Sequence, residues 1–265
     1  MELKELGATG FQLPEIGLGT AQYRGGTEPL REGISLEAFL IDTAEMYGTE
    51  GVVGEAVKDR RDRVFIATKV SGNHLGYEEV LKAAERSLQR LGTEYIDLYQ
   101  IHWPNHRVPI RETMRAMEAL VEMGRVRFIG VSNFSVTDLQ EAQAAMARHK
   151  IVSNQVVFNL LERGIEEDLL PYCQAQRITV MAYSPLARGK LTTKSAKGQA
   201  MEVLRKIALE TGKTVAQVAL NWCISRTGVV AIPKADRVEH VIENCGASGW
   251  RLSAEHLETL DRAFR

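Results

Sequence analysis

Short apolar runs rich in β-branched residues alternate with longer amphipathic stretches along most of the chain. Stretches such as YEEVLKAAERSLQRLG and IRETMRAMEALVEMGRV repeat apolar residues every three or four positions, which predicts helices. They end at Gly92 and Gly124, and glycine commonly follows the last turn of a helix. The short runs predict strands over residues 16–18, 39–41, 64–68, 96–101, 127–131, 153–157, 179–182 and 229–232.

Eight strand-then-helix repeats without a linker or low-complexity stretch restrict the architecture. We expect an α/β fold, a (β/α)8 TIM barrel formed as one domain over residues 1–265. An open, doubly wound sheet is the alternative. The segment LKELGATGFQLPEI predicts an N-terminal β-hairpin that turns at residues 7–10, and TVAQVALNWCISR and SAEHLETLDRAF predict extra helices towards the C-terminus.

Charge and cysteine content restrict the partners. The 265 residues include 33 Lys and Arg and 34 Asp and Glu, so no basic surface for nucleic acid or anionic membrane is expected. The three cysteines have no CxxC spacing, which favours a reducing compartment. The start, MELKELGATG, lacks the apolar core of a signal peptide, and no run of about 18 apolar residues occurs. We therefore expect a cytoplasmic protein, and a monomer, although no motif sets the oligomeric state.

Polar residues follow several predicted strands at the point where each apolar run stops. Asp42 ends the second strand and Tyr47 comes five residues later, while Lys69 and His102 follow the third and fourth strands. Taken singly, each is compatible with an ordinary structural role such as a turn cap or a satisfied core residue. Chemistry in a (β/α)8 barrel gathers at the carboxyl ends of the strands, so the four together predict one site.

Segments in the same order and at similar spacing resemble the aldo-keto reductase family over nearly the whole chain. They are IGLGT, IDTAEMYG, IATKV, IDLYQIHWP, IGVSNF, NQVVFN, AYSPLARGKL and IPKADRVEHVIEN. The resemblance implies that Tyr47 donates a proton, that Lys69 and Asp42 tune it, and that His102 orients a substrate carbonyl. These roles make chemical sense, because reduction of a carbonyl requires a proton on its oxygen. A phenol with a pKa near 10 is a weak acid and needs a neighbouring cation to give up its proton. We expect Lys69 to lower the pKa of Tyr47 and Asp42 to hold Lys69 in place.

The resemblance also implies a nicotinamide cofactor on the barrel rim, NADPH or NADP, with NADH used more weakly. A Rossmann motif is absent, since GLGTAQ has Gln22 where a third glycine belongs. The nicotinamide ring is expected to stack on Tyr183. The backbone of Leu186, together with Arg188 or Lys190, is expected to contact the pyrophosphate. The predicted cofactor-binding residues are Gly19, Thr20, Asp42, Ser132, Asn133, Gln155, Tyr183, Ser184, Leu186, Arg188, Lys234, Ala235, Arg237, His240, Glu243 and Asn244.

Two departures from the family pattern affect cofactor choice. Ala235 and His240 stand where a hydroxyl residue and an arginine are usual, so Lys234 is expected to keep NADPH preferred, but less strongly. Loss of a guanidinium removes a contact of about 1.5–3 kcal/mol. Arg237, at the start of the last barrel helix, is a candidate for part of the missing charge. His240 is expected to lie near the phosphate and to assist its binding when protonated. Stacking on the adenine or facing solvent is an equal alternative for this residue.

A third departure concerns the substrate. Ala21 replaces the family's tryptophan, with Tyr23 and Trp103 as aromatic neighbours, so we expect an open pocket for small carbonyl substrates and weak selectivity among aldehydes, dicarbonyls and some ketones. No metal is expected, because Pro104 prevents a helical pairing of His102 with His106.

Two functions agree with these features. The first is an NADPH-dependent carbonyl reductase, and the second is a nicotinamide-sensing regulatory subunit on the same barrel with little turnover.

One position at the end of the first predicted helix carries an unexpected residue. Glu37 occupies the place after that helix where a glycine is expected. A left-handed conformation there would cost a non-glycine residue about 1 kcal/mol.

Overall fold

The computed structural model describes residues 1–193 and 197–265. A two-stranded antiparallel hairpin precedes a parallel sheet of eight strands. The strands are β1 Leu3–Glu5, β2 Gln12–Pro14, β3 Leu18–Gly19, β4 Leu40–Asp42, β5 Phe65–Val70, β6 Ile96–Ile101, β7 Val126–Ser132, β8 Ile151–Val157, β9 Thr179–Tyr183 and β10 Val229–Ala231. The helices are α1 Glu28–Ser35, α2 Glu50–Val57, α3 Tyr77–Leu91, α4 Ile110–Glu122, α5 Val136–Ala145, α6 Leu169–Ala175, α7 Gln199–Thr211, α8 Val215–Ile224, α9 Val238–Cys245 and α10 Ala254–Ala263.

The parallel strands close into a barrel. They pair in chain order from β3 to β10, and the last strand returns to the first through parallel bridges between Ile16 and Ala231 and between Gly19 and Lys234. The Gly17 amide donates to the Ala231 carbonyl over 2.8 Å, and the Ala231 amide donates to Glu15 over 2.9 Å. This closure confirms the predicted (β/α)8 barrel and excludes the open sheet, which would leave both edge strands unpaired.

Helices cover the outside of the barrel, and the hairpin closes one end. Apolar residues of the hairpin, Leu6 and Leu13, pack with Leu40, Phe65 and Leu98 in a cluster separate from the helix-facing core. Both predicted C-terminal segments are helical, as α8 and α10, and α10 packs against α7. None of the helices in the described part of the chain combines the length and apolar character required to cross a bilayer.

Strand periodicity determines which side chains point into the barrel. Leu40 lies inside with Phe65, whereas their neighbours Ile41 and Ile66 belong to the helix-facing core. Because side chains alternate along a strand, the inward row of β4 continues from Leu40 to Asp42. The inward row of β5 continues from Phe65 to Lys69 in the same way. Both polar side chains therefore reach the interior at the carboxyl end of the sheet.

The turn after α1 has the conformation that the sequence predicted. Glu37 has φ 65°, and the amide of Ala38 donates to the Gly33 carbonyl over 2.9 Å while that of Glu37 donates to Ile34 over 3.0 Å. These two bonds form a Schellman motif with its left-handed position at Glu37. The Glu37 carboxylate lies 3.6 Å from the N-terminal ammonium but its side chain is 74% exposed, so this contact stabilises the fold little.

We expect Glu37→Gly to stabilise the protein by about 1 kcal/mol, because glycine adopts this conformation without a Cβ clash. Thermal or urea unfolding measures the change, and a rise in Tm of about 2–4 °C corresponds to it. Glu37→Ala is the matched control, since it removes the same carboxylate but keeps the strained backbone. Equal stability of the two variants would show that strain at this position is negligible.

Candidate active site

Four polar side chains predicted from strand ends come together at the carboxyl end of the barrel. The Lys69 ammonium nitrogen lies 2.7 Å from Asp42 Oδ1 and 3.5 Å from the Tyr47 hydroxyl. That hydroxyl lies 3.4 Å from His102 Nε2, and the two rings meet edge to face. The phenol therefore has a cation on one side and an imidazole on the other.

The Lys69–Asp42 ion pair is the most deeply buried part of this group. Lys69 is 0% and Asp42 3% exposed. The ammonium also donates to the Thr43 carbonyl over 2.9 Å, and Asp42 Oδ2 accepts from Gln155 Nε2 over 2.7 Å. A buried ion pair is tolerated when its remaining hydrogen-bonding capacity is filled, and these contacts fill it.

Tyr47 reaches the site on a short 3-10 turn, residues 45–47, that follows β4. The Glu45 carboxylate holds this turn, because it accepts from the Ser71 amide over 3.0 Å and from Arg86 over 3.1 Å. Gly48, with φ 71°, then directs the chain into α2. The phenol is thus positioned by contacts to β5 and α3 as well as by its own strand.

Burial determines the protonation state of Tyr47. Removal of the phenol from water raises the pKa of Tyr47; nearby Lys69 offsets part of this rise and Asp42 adds to it. Lys69 acts to lower the pKa of Tyr47 as expected, but burial outweighs it, so the pKa lies above the ordinary value of a phenol. Desolvation outweighs a single cation that is itself paired with a carboxylate. Tyr47 keeps its proton at neutral pH and is available as a donor.

His102 is a neutral imidazole at neutral pH. Burial and, secondarily, the Lys69 charge lower the pKa of His102 to about 4. Its Nδ1 is buried and has no hydrogen-bond partner among residues 1–193 and 197–265, whereas Nε2 faces the Tyr47 hydroxyl. An oxygen atom placed beside this hydroxyl would therefore meet two polar groups of the protein, a phenol and an uncharged imidazole.

A cleft of about 1150 Å³ opens above these side chains. It connects the Tyr47 end to a second end at Lys234, on the loop after β10. Of the predicted site residues, the following line it: Gly19, Ala21, Asp42, Tyr47, His102, Trp103, Ser132, Asn133, Gln155, Tyr183, Ser184, Leu186, Arg188, Lys234, His240, Glu243 and Asn244.

Other predicted residues lie outside the cleft lining. Tyr23 is a correction to the predicted substrate pocket, because it is 7% exposed and its hydroxyl donates to the Gly26 carbonyl over 2.9 Å. Thr20 is buried and donates to the Asp42 carbonyl over 2.9 Å. Ala235 and Arg237 do not line the cleft, and Arg237 pairs with Glu239 at 3.3 Å. Its expected contribution of charge to the site is therefore not supported.

The structure also adds residues that the sequence reasoning missed. Met46 and Gln22 line the cleft, and Gln100 Nε2 lies 3.5 Å from Asp42 Oδ2. The strand alternation that places His102 inward also places Gln100, two residues earlier, in the barrel, so this residue was accessible to sequence reasoning. Met46 is 64% exposed beside Tyr47, and a turn residue of this kind has no periodic signal.

Amides and hydroxyls surround the middle of the cleft. The Tyr183 hydroxyl donates to Asn133 Oδ1 over 3.1 Å, and Asn133 Nδ2 donates to the His102 carbonyl over 3.1 Å. Ser132 Oγ donates to the Gln155 carbonyl over 2.8 Å. The contacts link the ends of β6, β7, β8 and β9, and offer both donors and acceptors to a bound amide.

Comparison with known proteins defines the class. Residues 15–265 match the aldo/keto reductase family profile, and the chain belongs to this family. It is 43% identical over 263 residues to the methylglyoxal reductase of Escherichia coli strain K12, covering 95% of this chain and 91% of that protein. The glyoxal reductase of Bacillus subtilis strain 168 is 39% identical over 258 residues, with 95% and 89% coverage.

A solved structure agrees with this assignment. An aldo-keto reductase from Klebsiella pneumoniae, crystallised in complex with NADPH, superposes with a TM-score of 0.91 at 41% identity and covers 100% of this chain and 96% of that one.

The lowered pKa of His102 predicts a loss of stability in mild acid. Between the unfolded value near 6.5 and the folded value of about 4, the unfolded chain binds the extra proton, so stability falls as the pH drops through this window. Between pH 8 and pH 5, the titration of His102 should lower the free energy of unfolding by about 2 kcal/mol.

Urea unfolding of the wild type and of His102→Asn at both pH values isolates that contribution, because the other acids titrate in both proteins. His106→Asn is the control, since the His106 side chain is 78% exposed. The same acid-induced loss in wild type and His102→Asn would contradict a depressed pKa.

Proposed function

We propose that the protein is an NADPH-dependent carbonyl reductase that converts small aldehydes and dicarbonyls to alcohols, with Tyr47 as the proton donor. The observation that carries the proposal is the position of the Tyr47 hydroxyl, 3.5 Å from Lys69 Nζ and 3.4 Å from His102 Nε2 beneath an open cleft. Membership of the aldo-keto reductase family supports the reaction class.

The cleft has the donor set that a dinucleotide requires. Amide and hydroxyl groups of Ser132, Asn133 and Gln155 suit a carboxamide, and Tyr183 offers an aromatic ring. Arg188 and Lys234 provide cations towards the other end. When bound, the cofactor supplies the hydride for the carbonyl carbon. The complex of the Klebsiella pneumoniae relative with NADPH supports this choice of cofactor.

The chain's own residues supply the proton. Tyr47 is a neutral phenol, because burial raises its pKa, and its O–H can pass the proton to a carbonyl oxygen held beside His102 Nε2. The resulting phenolate would lie 3.5 Å from Lys69 Nζ, which Asp42 Oδ1 holds in place at 2.7 Å. The ammonium therefore stabilises the charge that forms on Tyr47 as the proton leaves.

The cleft mouth favours small and reactive carbonyl compounds. Ala21 contributes only a methyl group there, and Met46 and Trp103 are 64% and 50% exposed. Few groups therefore enclose the part of a substrate distant from the carbonyl, which favours broad selectivity. The methylglyoxal reductase and glyoxal reductase among the relatives support dicarbonyls as substrates.

The reaction class and the role of Tyr47 can be tested together. With NADPH, we expect turnover of methylglyoxal, glyoxal and aromatic aldehydes, and we expect Tyr47→Phe to lower kcat by about 100-fold or more, the usual scale of general acid catalysis. Lys69→Met should be comparably damaging. Calorimetric Kd values for NADPH should change little in Tyr47→Phe, because only the transferred proton is removed.

Tyr172→Phe, on α6, is the matched control and should retain wild-type kcat. Near-normal turnover by Tyr47→Phe would overturn the proton-donor assignment. Tight NADPH binding with negligible turnover of the whole panel would instead favour a nicotinamide-sensing subunit. Preference for one carbonyl by several orders of magnitude over close analogues would contradict the open pocket.

His240 gives a prediction for cofactor choice. It is exposed and lines the cleft with Lys234, Glu243 and Asn244. Histidine side chains ordinarily gain a proton near pH 6.5, and an adjacent phosphate favours the protonated form. We expect the NADPH-over-NADH preference, measured as Kd values, to grow from pH 8 to pH 6, and His240→Arg to strengthen NADPH binding at pH 8.

His240→Asn is the control for the phosphate's own titration near pH 6, because it keeps the cofactor and removes only the imidazole. A preference that ignores both pH and these substitutions would show that His240 does not meet the phosphate.

A further inference from the structure

The cation at the far end of the cleft is already paired. Lys234 Nζ lies 2.5 Å from Asp236 Oδ2, and both side chains are only about one-third exposed, at 35% and 36%. Asp236 Oδ1 accepts in turn from the backbone amide of Arg24 over 2.9 Å. One carboxylate thus holds the Lys234 side chain and joins the loop after β10 to the loop after β3.

The backbone explains why this carboxylate stays in place. Lys234 pairs with Gly19 in the bridge that helps close the barrel, and Asp236 lies two residues on, before α9. Gly25 lies close against the Asp236 carbonyl oxygen, which would be 2.6 Å from any Cβ at this glycine. The two loops are therefore in van der Waals contact at this point, and the bond from the Arg24 amide holds the carboxylate beside Lys234.

Asp236 is ionised at neutral pH. Partial burial acts to raise its pKa, but the hydrogen bonds from Lys234 and from the Arg24 amide outweigh burial and lower it. The carboxylate is therefore a permanent negative charge beside Lys234, and the pair has no net charge.

The groups around this pair carry charges of both signs. Glu243 is an acid in the cleft lining, and Arg237 is 68% exposed and pairs with Glu239. Within the part of the chain that the structure describes, Arg188 and His240 are basic side chains of the lining besides Lys234, and the charge of Arg24 also acts on Asp236. A doubly charged phosphate placed against the Lys234 ammonium would therefore also lie close to the Asp236 carboxylate, which repels it.

We propose that Asp236 is a specificity-determining residue that weakens the preference for NADPH over NADH by neutralising Lys234. This inference rests on the proposed function, in which Lys234 meets the 2′-phosphate of the cofactor. The unphosphorylated ribose of NADH brings no charge to repel, and its hydroxyls can donate to a carboxylate. Asp236 thus opposes one cofactor and tolerates the other.

The test is Asp236→Asn in the full-length protein, with Kd values measured by calorimetry for NADPH, NADH and 2′,5′-ADP. Asparagine keeps an oxygen for the Arg24 amide and removes the charge. We expect NADPH and 2′,5′-ADP to bind about 5- to 10-fold more tightly, with the gain shrinking as salt rises, and NADH to bind no more tightly. Asp236→Ser is the second variant should the first fold poorly, and it should show the same direction.

Glu239→Gln is the matched control, because it removes an acid three residues after Asp236 that pairs with Arg237 instead of Lys234, and it should change each Kd less than about 2-fold. Unchanged or weaker NADPH binding in Asp236→Asn would overturn the inference and show that the acid only positions Lys234. If Lys234→Ala still weakens 2′,5′-ADP in that case, the proposed cofactor site stands. Wild-type protein that binds neither dinucleotide would overturn both.

Discussion

The candidate site depends on one buried ion pair, Lys69 with Asp42. Two charges taken out of water cost several kcal/mol unless their geometry is good and their remaining bonding capacity is used. Here the ammonium also bonds the Thr43 carbonyl, and the carboxylate bonds Gln155, which lies 113 residues further along the chain. The pair therefore has its full set of hydrogen bonds only when β4, β5 and β8 are brought together in the barrel.

Burial has a second effect on the chemistry of this site. The same exclusion of water that makes the ion pair tight raises the pKa of Tyr47 and lowers that of His102 to about 4. The phenol and the imidazole are then both uncharged at neutral pH, and the positive charge of the group is on Lys69. In the proposed reaction, the proton comes from Tyr47, whereas the charge that stabilises the phenolate left behind is on Lys69.

Backbone strain is concentrated at the rim of the cleft. Among the described residues, left-handed conformations at non-glycine positions include Gln22, Asn133, Ser184 and Arg188, all of which line the cleft. Each such residue costs of order 1 kcal/mol, and the packed barrel supports that cost. Glu37 is left-handed too, but it ends α1 and has no part in the cleft. The strain there belongs to a helix end, whereas at the rim it lies in residues that line the cleft.

The repeat of strand and helix patterns was enough to predict the barrel, because periodicity is a local property of the chain. It also predicted that Asp42, Lys69 and His102 lie in one site, since the carboxyl ends of the strands meet at one face of the barrel. The sequence alone could not predict that Tyr23 is buried away from the cleft, that burial outweighs Lys69 at Tyr47, or that Asp236 neutralises Lys234. Only the tertiary structure decided these points. Depth of burial and the choice of partner depend on how loops from distant segments pack together, and no local pattern records that packing.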